Sequence, residues 1–207
     1  GVVSQPRWRE VKEAEKDLAV RGRPRLFAGL SAVSMDSMLA HYTACRKIRR
    51  DDALAPGGRF GARPNRATLV YTGLVRAAFP GLPVFIGGLE ASLRRLSHYD
   101  FWQDKLRRSV LLESKADLLI YGPGERPLLE AAGRLADGEP LTALTDIPGT
   151  CVPVRPGDFN TEERLRLPSH EEILADPKLL MEATLAAEKL VHNGGRSAFQ
   201  ESGQRAE

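Results

Sequence analysis

Residues 82–95, LPVFIGGLEASLRR, carry the clearest structural signal in the chain. Their Val-Phe-Ile run lies between a proline and two glycines, a pattern typical of a strand that is buried on both faces, as in parallel sheets. Gly87 and Gly88 allow the backbone to turn after the strand without a Cβ clash. Because open α/β sheets bind ligands at the carboxyl ends of their strands, this turn predicts one side of a ligand cleft.

The same pattern recurs further along the chain. Residues 118–121, LLIY, form a second apolar run, and the glycine-rich stretch GPGERP follows it. We expect the two strands to lie side by side and parallel, so that Gly122 and Gly124 open into the same cleft as the first turn. Glu125 suits a helix N-terminus but would repel a phosphate, so a neutral polar group hydrogen-bonded by Glu125 is the predicted ligand here.

Polar residues after the first turn are further candidates for ligand contacts. His98 and Asp100 have the chemistry of an acid/base pair, but neighbours in sequence seldom point the same way, and packing of the adjoining aromatic residues explains the segment more simply. We therefore predict no catalytic residue. The predicted cleft consists of Gly87, Gly88, Glu90, Arg94, Arg95, His98, Gly122, Gly124 and Glu125.

The flanking segments predict alternating strands and helices. In the first part of the chain we expect a strand over 1–6, a helix over 8–20, a strand over 25–30, a helix capped by Ser34 or Asp36, a long loop over 55–66 and a helix over 66–79. In the second part we expect a helix from Pro127 to about Leu135, an edge strand or hairpin over 147–154, and a capping box from Ser169 and Glu172 followed by helix to Val191.

These elements predict an α/β fold, a doubly wound Rossmann-like parallel sheet that lacks its first βα unit. We assign residues 1–155 to this domain and residues 156–207 to a helical extension and linker, in which 192–207 is a polar, mobile connector. The chain begins without Met, and we expect earlier parts of the sheet to precede it.

The charge distribution is uneven. Residues 46–112 contain thirteen Lys and Arg against five Asp and Glu, whereas residues 113–207 contain ten against seventeen. The basic middle predicts an anionic partner, and its candidate anion-binding residues are Arg49, Arg50, Arg59 and Arg63. The alternative function is therefore a module that binds RNA or another polyanion. A nucleotide-binding enzyme that uses the first glycine turn is a third possibility.

Other compositional signals exclude whole classes of protein. The sequence has no apolar run near the roughly 20 residues of a membrane helix, and no signal peptide is visible, so we expect a cytoplasmic protein without membrane contact. Cys45 and Cys151 are predicted to be reduced thiols, and the spacing of Cys and His predicts no metal site.

Several motifs together resemble the amino-terminal part of the YgiQ-type radical-SAM proteins, over nearly the whole chain. They are Asp36-Ser37-Met38-Leu39, Arg49-Arg50-Asp51-Asp52-Ala53, Gly87-Gly88-Leu89-Glu90-Ala91-Ser92-Leu93-Arg94-Arg95, His98-Tyr99-Asp100-Phe101-Trp102, Ser114-Lys115-Ala116-Asp117 and Gly122-Pro123-Gly124-Glu125-Arg126-Pro127. The two glycine turns also resemble, more distantly, the cobalamin-binding-like domain that precedes the radical-SAM barrel in several enzyme families.

The resemblance implies a full-length protein with a 4Fe-4S cluster and S-adenosylmethionine, whose three-cysteine motif would follow this chain. It implies no cofactor held by this chain alone. Cobalamin is a further possible cofactor of the full-length protein, although the His that ligates cobalt in cobalamin carriers would precede Gly1, and the domain would then present a corrinoid or a substrate to the barrel. The implied partner is the radical-SAM barrel of the same polypeptide. The chain would be an accessory domain that shapes or covers that barrel's active site, with a small-molecule or nucleic-acid substrate, and would be inactive alone.

Overall fold

The computed structural model describes residues 1–32, 35–155, 158, 160–162, 164–193 and 197–203. It divides into two compact units, one of residues 1–95 with 110–153, and one of residues 96–109 with 154–207. The second unit thus includes residues 96–109, which the sequence analysis places in the first domain.

The helices are α1 Val11–Ala19, α2 Ser37–His41, α3 Ala67–Ala78, α4 Gly88–Leu93, α5 Val110–Ser114, α6 Glu125–Ala136, α7 His170–Ala175 and α8 Leu179–Asn193. The strands are β1 Ala28–Ser31, β2 Val84–Gly87, β3 His98–Asp100, β4 Lys105–Arg107, β5 Leu118–Ile120, β6 Thr150–Cys151, β7 Leu165–Leu167 and β8 Ala198–Gln200. Short 3-10 turns lie at Pro56–Gly58 and Leu141–Ala143.

The first unit is built on a four-stranded sheet in the order β1-β2-β5-β6. The pairs β1/β2 and β2/β5 are parallel, with Phe85 opposite Leu118 and Ile86 opposite Leu119. Strand β6 is antiparallel to β5 and forms the edge that was predicted near residues 147–154. The two glycine turns therefore follow neighbouring parallel strands, as the sequence predicts.

Both faces of this sheet are covered, which explains why its central strands are apolar without alternation. On one face Val84, Ile86 and Leu119 pack against the cluster that includes Val75 of α3 and Leu111 of α5. On the other face the remaining side chains of β2 and β5 pack against α6 and the segment that follows it. This cluster consists of Phe85, Leu118, Ile120, Ala131, Leu144 and Ile147. Helices on both faces make this a doubly wound α/β fold, and the predicted fold class is confirmed.

The second unit contains two smaller sheets. Strands β3 and β4 form an antiparallel hairpin, and β7 and β8 form a parallel pair. Ser169 and Glu172 make the predicted capping box at the start of α7: the Glu172 N–H donates to Ser169 Oγ, and the Ser169 N–H donates to Glu172 Oε2. In the described part of the chain, no helix combines the length and apolar composition that crossing a membrane requires.

Three expectations need correction. Residues 1–6 form no strand: Val2 is 87% exposed, and the segment has no strand to pair with. Residues 192–207 are not simply a connector, because α8 continues to Asn193 and β8 pairs with β7. Tyr99 and Phe101 are exposed, so the predicted aromatic packing is limited to the edge-on contact of Phe101 with Trp102, whose ring centroids are 5.2 Å apart, and the segment forms the β3–β4 hairpin.

The helix predicted after residue 34 begins with Asp36 as its cap, since Asp36 Oδ1 accepts hydrogen bonds from the N–H groups of Met38 and Leu39. Ser34, the other predicted cap, lies outside the described residues. The remaining helices, at 11–19, 67–78 and 125–136, lie within two or three residues of their predicted bounds. Helix α5 was not predicted.

Candidate functional site

The carboxyl ends of β2 and β5 form a glycine-lined edge around Ile120. A Cβ placed on Gly87 would lie 3.3 Å from Ile120 O, and one placed on Gly124 would lie 3.2 Å from Ile120 Cγ2. Both turns therefore press backbone against the end of β5. Gly88 and Gly122 have φ values of 81° and 67°, a left-handed conformation that side chains with a Cβ rarely adopt. Glycine is required at this edge by conformation as well as by space.

Glu90 lies in the first turn of α4 and is 1% exposed. Its Oε2 accepts hydrogen bonds from Ser37 N at 2.9 Å and from Ser37 Oγ at 2.6 Å, and its Oε1 accepts one from Thr68 N at 2.9 Å. The carboxylate thereby satisfies backbone donors at the first turns of α2 and α3. Helix α3 needs this help, because Arg66 at its N-cap supplies no side-chain acceptor.

Arg94 also faces inward. Its Nη1 pairs with Asp36 Oδ2, the oxygen of the α2 cap that the helix N–H groups leave available, and approaches Glu90 O at 3.3 Å. Glu90 and Arg94 together tie α4 to the starts of α2 and α3. Their predicted role as ligand contacts stays a prediction, and the observed contacts of both side chains are with the protein itself.

Arg95 contacts the residue that follows β5. Its Nη1 donates to Ser92 O, and its guanidinium lies over the Tyr121 ring, 5.0 Å from the centroid. Cys151 belongs to the same group: burial raises the pKa of its thiol to about 11, against an opposing effect of Arg95. Burial likewise raises the pKa of Tyr121. Arg95, Tyr121 and Cys151 therefore form a partly buried, weakly polar group next to β5.

The other predicted cleft residues lie as follows. Glu125 is exposed in the first turn of α6, next to Gly124. His98 begins β3 in the second unit, where its Nδ1 is 3.1 Å from Leu96 O. The structure thus brings together the four glycines, Arg95 and Glu125 in one unit, and it describes His98 with the other.

The four candidate anion-binding arginines differ sharply in exposure. Arg49, Arg50 and Arg59 are exposed, and Arg49 Nε donates to Leu39 O and Tyr42 O. Arg63 is 1% exposed and forms a two-point ion pair with Asp52, at 2.8 and 3.0 Å, while its Nη1 donates to Ala32 O.

The Arg63–Asp52 pair is a structural anchor of the long loop. Burial alone would raise the pKa of Asp52, but hydrogen bonds from Arg63 and from the Leu54 N–H outweigh it, and the pKa lies below its ordinary value. His41 lies beside the pair, with Nε2 3.5 Å from Asp52 Oδ2 and Nδ1 2.7 Å from Asn65 Oδ1. A buried guanidinium with such partners has no free face for an external anion.

Sequence reasoning missed a hydroxyl–imidazole contact in the second unit. Ser97 Oγ lies 3.0 Å from His170 Nδ1, and both residues are buried. Ser97 N also donates to Gln200 Oε1. The contact joins the hairpin segment to α7 and β8 within the interior, and no local pattern in the sequence could have linked residues so far apart along the chain.

The side chains of this chain do not fit an iron–sulfur cluster, which takes three or four cysteine thiolates. The chain has two cysteines, of which Cys45 is exposed and Cys151 is a half-buried thiol of β6 whose raised pKa keeps it protonated at neutral pH. In the described residues no three or more His, Cys, Asp or Glu side chains meet in a group able to hold a metal ion. The two glycine turns carry no His to ligate the cobalt of a cobalamin.

The fold and this edge together define the class of protein as a doubly wound α/β domain with glycine turns at the carboxyl ends of its parallel strands. Most of the charged residues near those turns contact the domain itself. The chain belongs to the Radical SAM N-terminal family, whose family model matches residues 1–206. The resemblance to radical-SAM proteins is thereby confirmed.

Curated relatives share this region at high identity. A UPF0313 protein of Geobacter sulfurreducens is 53% identical over 183 residues, which cover 88% of this chain and 30% of the relative. UPF0313 proteins of Thermotoga maritima and Pseudomonas aeruginosa are 48% and 50% identical, over 88% and 72% of this chain and 31% and 20% of their own lengths. The chain thus spans about a third or less of these relatives. No solved structure matches it significantly.

Proposed function

We propose that this chain is the accessory amino-terminal domain of a radical-SAM enzyme and that it shapes or covers an active site formed by the rest of the polypeptide. The observation that carries the proposal is the family match over residues 1–206 in a chain whose cysteines cannot hold the cluster. The 4Fe-4S cluster and S-adenosylmethionine would belong to the remaining part of the full-length protein, in the cytoplasm.

The glycine-lined edge is the part of the first unit that we expect to face that active site. It presents backbone from the two turns, with Arg95 over the Tyr121 ring and Glu125 in the first turn of α6 nearby. Such a surface suits a neutral or weakly polar group, since the dipole of α6 and the carboxylate of Glu125 act in opposite directions on an anion. Glu90 and Arg94 would support the edge from below.

The test is a comparison of S-adenosylmethionine turnover by the full-length protein and by the 207-residue chain, after reconstitution with iron and sulfide. We expect turnover only in the full-length protein. In that protein Glu125→Lys should change the turnover rate several-fold at a stability cost of only about 1 kcal/mol, because the residue is exposed and its charge acts only on the first turn of α6. Glu130→Lys is the matched control, an exposed glutamate further along the same helix. Turnover by the 207-residue chain, or equal effects of the two substitutions, would contradict the proposal.

A second candidate, a polyanion-binding module, is supported by the exposure of the basic residues between α2 and α3. Four arginines that reach the surface form the relevant set: Arg46, Arg49, Arg50 and Arg59. Binding of poly(U) through about four phosphate contacts would give a slope of about −3 in log K against log salt. Neutralising this set should remove the slope, whereas neutralising four other exposed basic residues should not: Lys12, Arg21, Arg23 and Arg25. Arg63 is left unchanged because its removal would leave Asp52 buried and unpaired.

A further inference from the structure

The parallel pair β7/β8 lacks the cover that the parallel strands of the first unit have. In β2 and β5 every residue from 84 to 86 and from 118 to 120 is buried. In β7 only Leu167 is buried, Leu165 is 39% exposed, and all three residues of β8 are half-buried. Parallel strands are ordinarily buried on both faces, and a two-stranded sheet is marginal in water. The β7/β8 pair therefore has the character of an unfinished sheet.

Helix α8 shows the same deficit. Together with α7 it forms the crossover connection from β7 to β8, and nine of its fifteen residues are apolar. Among its described side chains only Ala183 and Ala187 are buried, whereas Met181, Leu185 and Val191 are about half exposed or more. A helix that is apolar on several faces is ordinarily enclosed by other elements. Within the described residues, other elements cover α8 only on the face that carries Ala183 and Ala187.

An open groove of about 370 Å³ runs along this uncovered side. Its lining is mostly apolar and includes one acidic and one basic residue, and the lining residues are Leu165, Glu182, Leu185, Ala186, Lys189 and Leu190. The groove thus spans the crossover helix and the first strand of the pair. A segment that added a strand to this sheet could cover both at once.

We propose that β7, α7, α8 and β8 are the first βαβ unit of a larger parallel sheet, and that the polypeptide following this chain completes it. That following segment supplies a strand beside the β7/β8 pair and apolar side chains for the groove. The proposal rests on the function proposed above, which places a further domain in the same polypeptide. Relatives that match here over 30% and 31% of their length have ample chain for it, and the match is to an N-terminal family.

Amide hydrogen exchange in the full-length protein and in the 207-residue chain tests the proposal. We expect exchange in residues 165–167, 179–191 and 198–200 to be about 100-fold slower in the full-length protein, because pairing and cover suppress local opening. Leu185→Arg should remove that difference in the full-length protein, yet leave the shorter chain folded, since Leu185 is 48% exposed there. Leu129→Arg, at an exposed leucine of α6 in the first unit, should leave it in place.

Three results would overturn the proposal: equal exchange in the two proteins, equal effects of the Leu185 and Leu129 substitutions, or protection in the 207-residue chain that rises with its concentration. The last would identify a second copy of the chain as the occupant of the groove. Exchange and S-adenosylmethionine turnover are independent readouts. Protection without turnover would support completion of the sheet and contradict the proposed function. Turnover without protection would support the proposed function and contradict completion of the sheet.

Discussion

Replacing Glu90 with Gln should destabilise the first unit strongly although it changes only one atom of the side chain. The carboxylate is buried and accepts hydrogen bonds from Ser37 N, Ser37 Oγ and Thr68 N. An amide has one oxygen for these three donors. Ser37 Oγ cannot turn freely to compensate, because it also accepts a hydrogen bond from Ala67 N at 3.2 Å.

The magnitude follows from the number of donors left without an acceptor. With the amide oxygen placed toward Ser37, the NH₂ group faces Thr68 N, and a buried backbone donor without a partner costs about 1–3 kcal/mol. The other two bonds lose the contribution of a charged acceptor, on the order of 1 kcal/mol in total. The expected loss is about 2–4 kcal/mol, a large share of the roughly 5–15 kcal/mol that stabilises an ordinary domain.

Urea unfolding followed by tryptophan fluorescence measures this loss in the appropriate unit. Trp8 packs against the cluster formed by α1 and α3, and its Nε1 donates to Ala62 O. Trp102 lies in the second unit, so a Trp102→Phe background leaves Trp8 as the only reporter. Glu125→Gln is the control, since loss of an exposed charge in a first helical turn costs only about 0.3–1 kcal/mol. A loss for Glu90→Gln no greater than that of the control would refute the capping role.

Three further outcomes are expected. Maleimide at neutral pH should label Cys45 rapidly and Cys151 slowly, because burial raises the pKa of the Cys151 thiol to about 11. Mass spectrometry of the labelled peptides measures both rates, and labelling of Cys151 as fast as that of Cys45 would contradict this burial. Gly122→Ala should cost about 1 kcal/mol and Gly133→Ala should gain about 0.5–1 kcal/mol in urea unfolding, since both sites have open space but only Gly122 has a positive φ; equal signs would contradict this. Because the pKa of Asp52 is lowered in the folded protein, its ionised carboxylate stabilises the fold fully above the unfolded-state pKa near 4, and this stabilisation is lost as the pH falls through the folded-state pKa. Acid unfolding monitored by circular dichroism should therefore begin at higher pH in Asp52→Asn, and an unchanged acid transition would count against the Arg63–Asp52 pair.

The sequence predicts the central sheet well because its signals are local. The apolar runs at 84–86 and 118–120, each followed by glycines, specify buried strands and tight turns without reference to distant residues. The capping box of α7 and the start of α6 are likewise encoded within a few positions. Parallel pairing of the two strands follows from their shared pattern.

The contacts of the charged residues could not be predicted in this way. Glu90 meets Ser37, 53 positions away, and Arg94 meets Asp36, 58 positions away. Proximity to a glycine turn suggested a ligand role for both, but the sequence does not show that the starts of two helices require acceptors at the same place. The N-terminus of α3, which has Arg66 where a capping residue is expected, was the available hint.

The hairpin of residues 96–109 also has a consequence for synthesis of the protein. It belongs to the second unit, and the hydrogen bond from Ser97 N to Gln200 Oε1 can form only after the ribosome has added a further 103 residues. At about 5–20 residues per second a ribosome needs roughly 5–20 s to cover that distance. During this interval the nascent hairpin, with its exposed aromatic residues, is present without its partners from the later part of the chain. A cut after residue 153 would make that condition permanent, so the first unit cannot be separated cleanly by a single truncation.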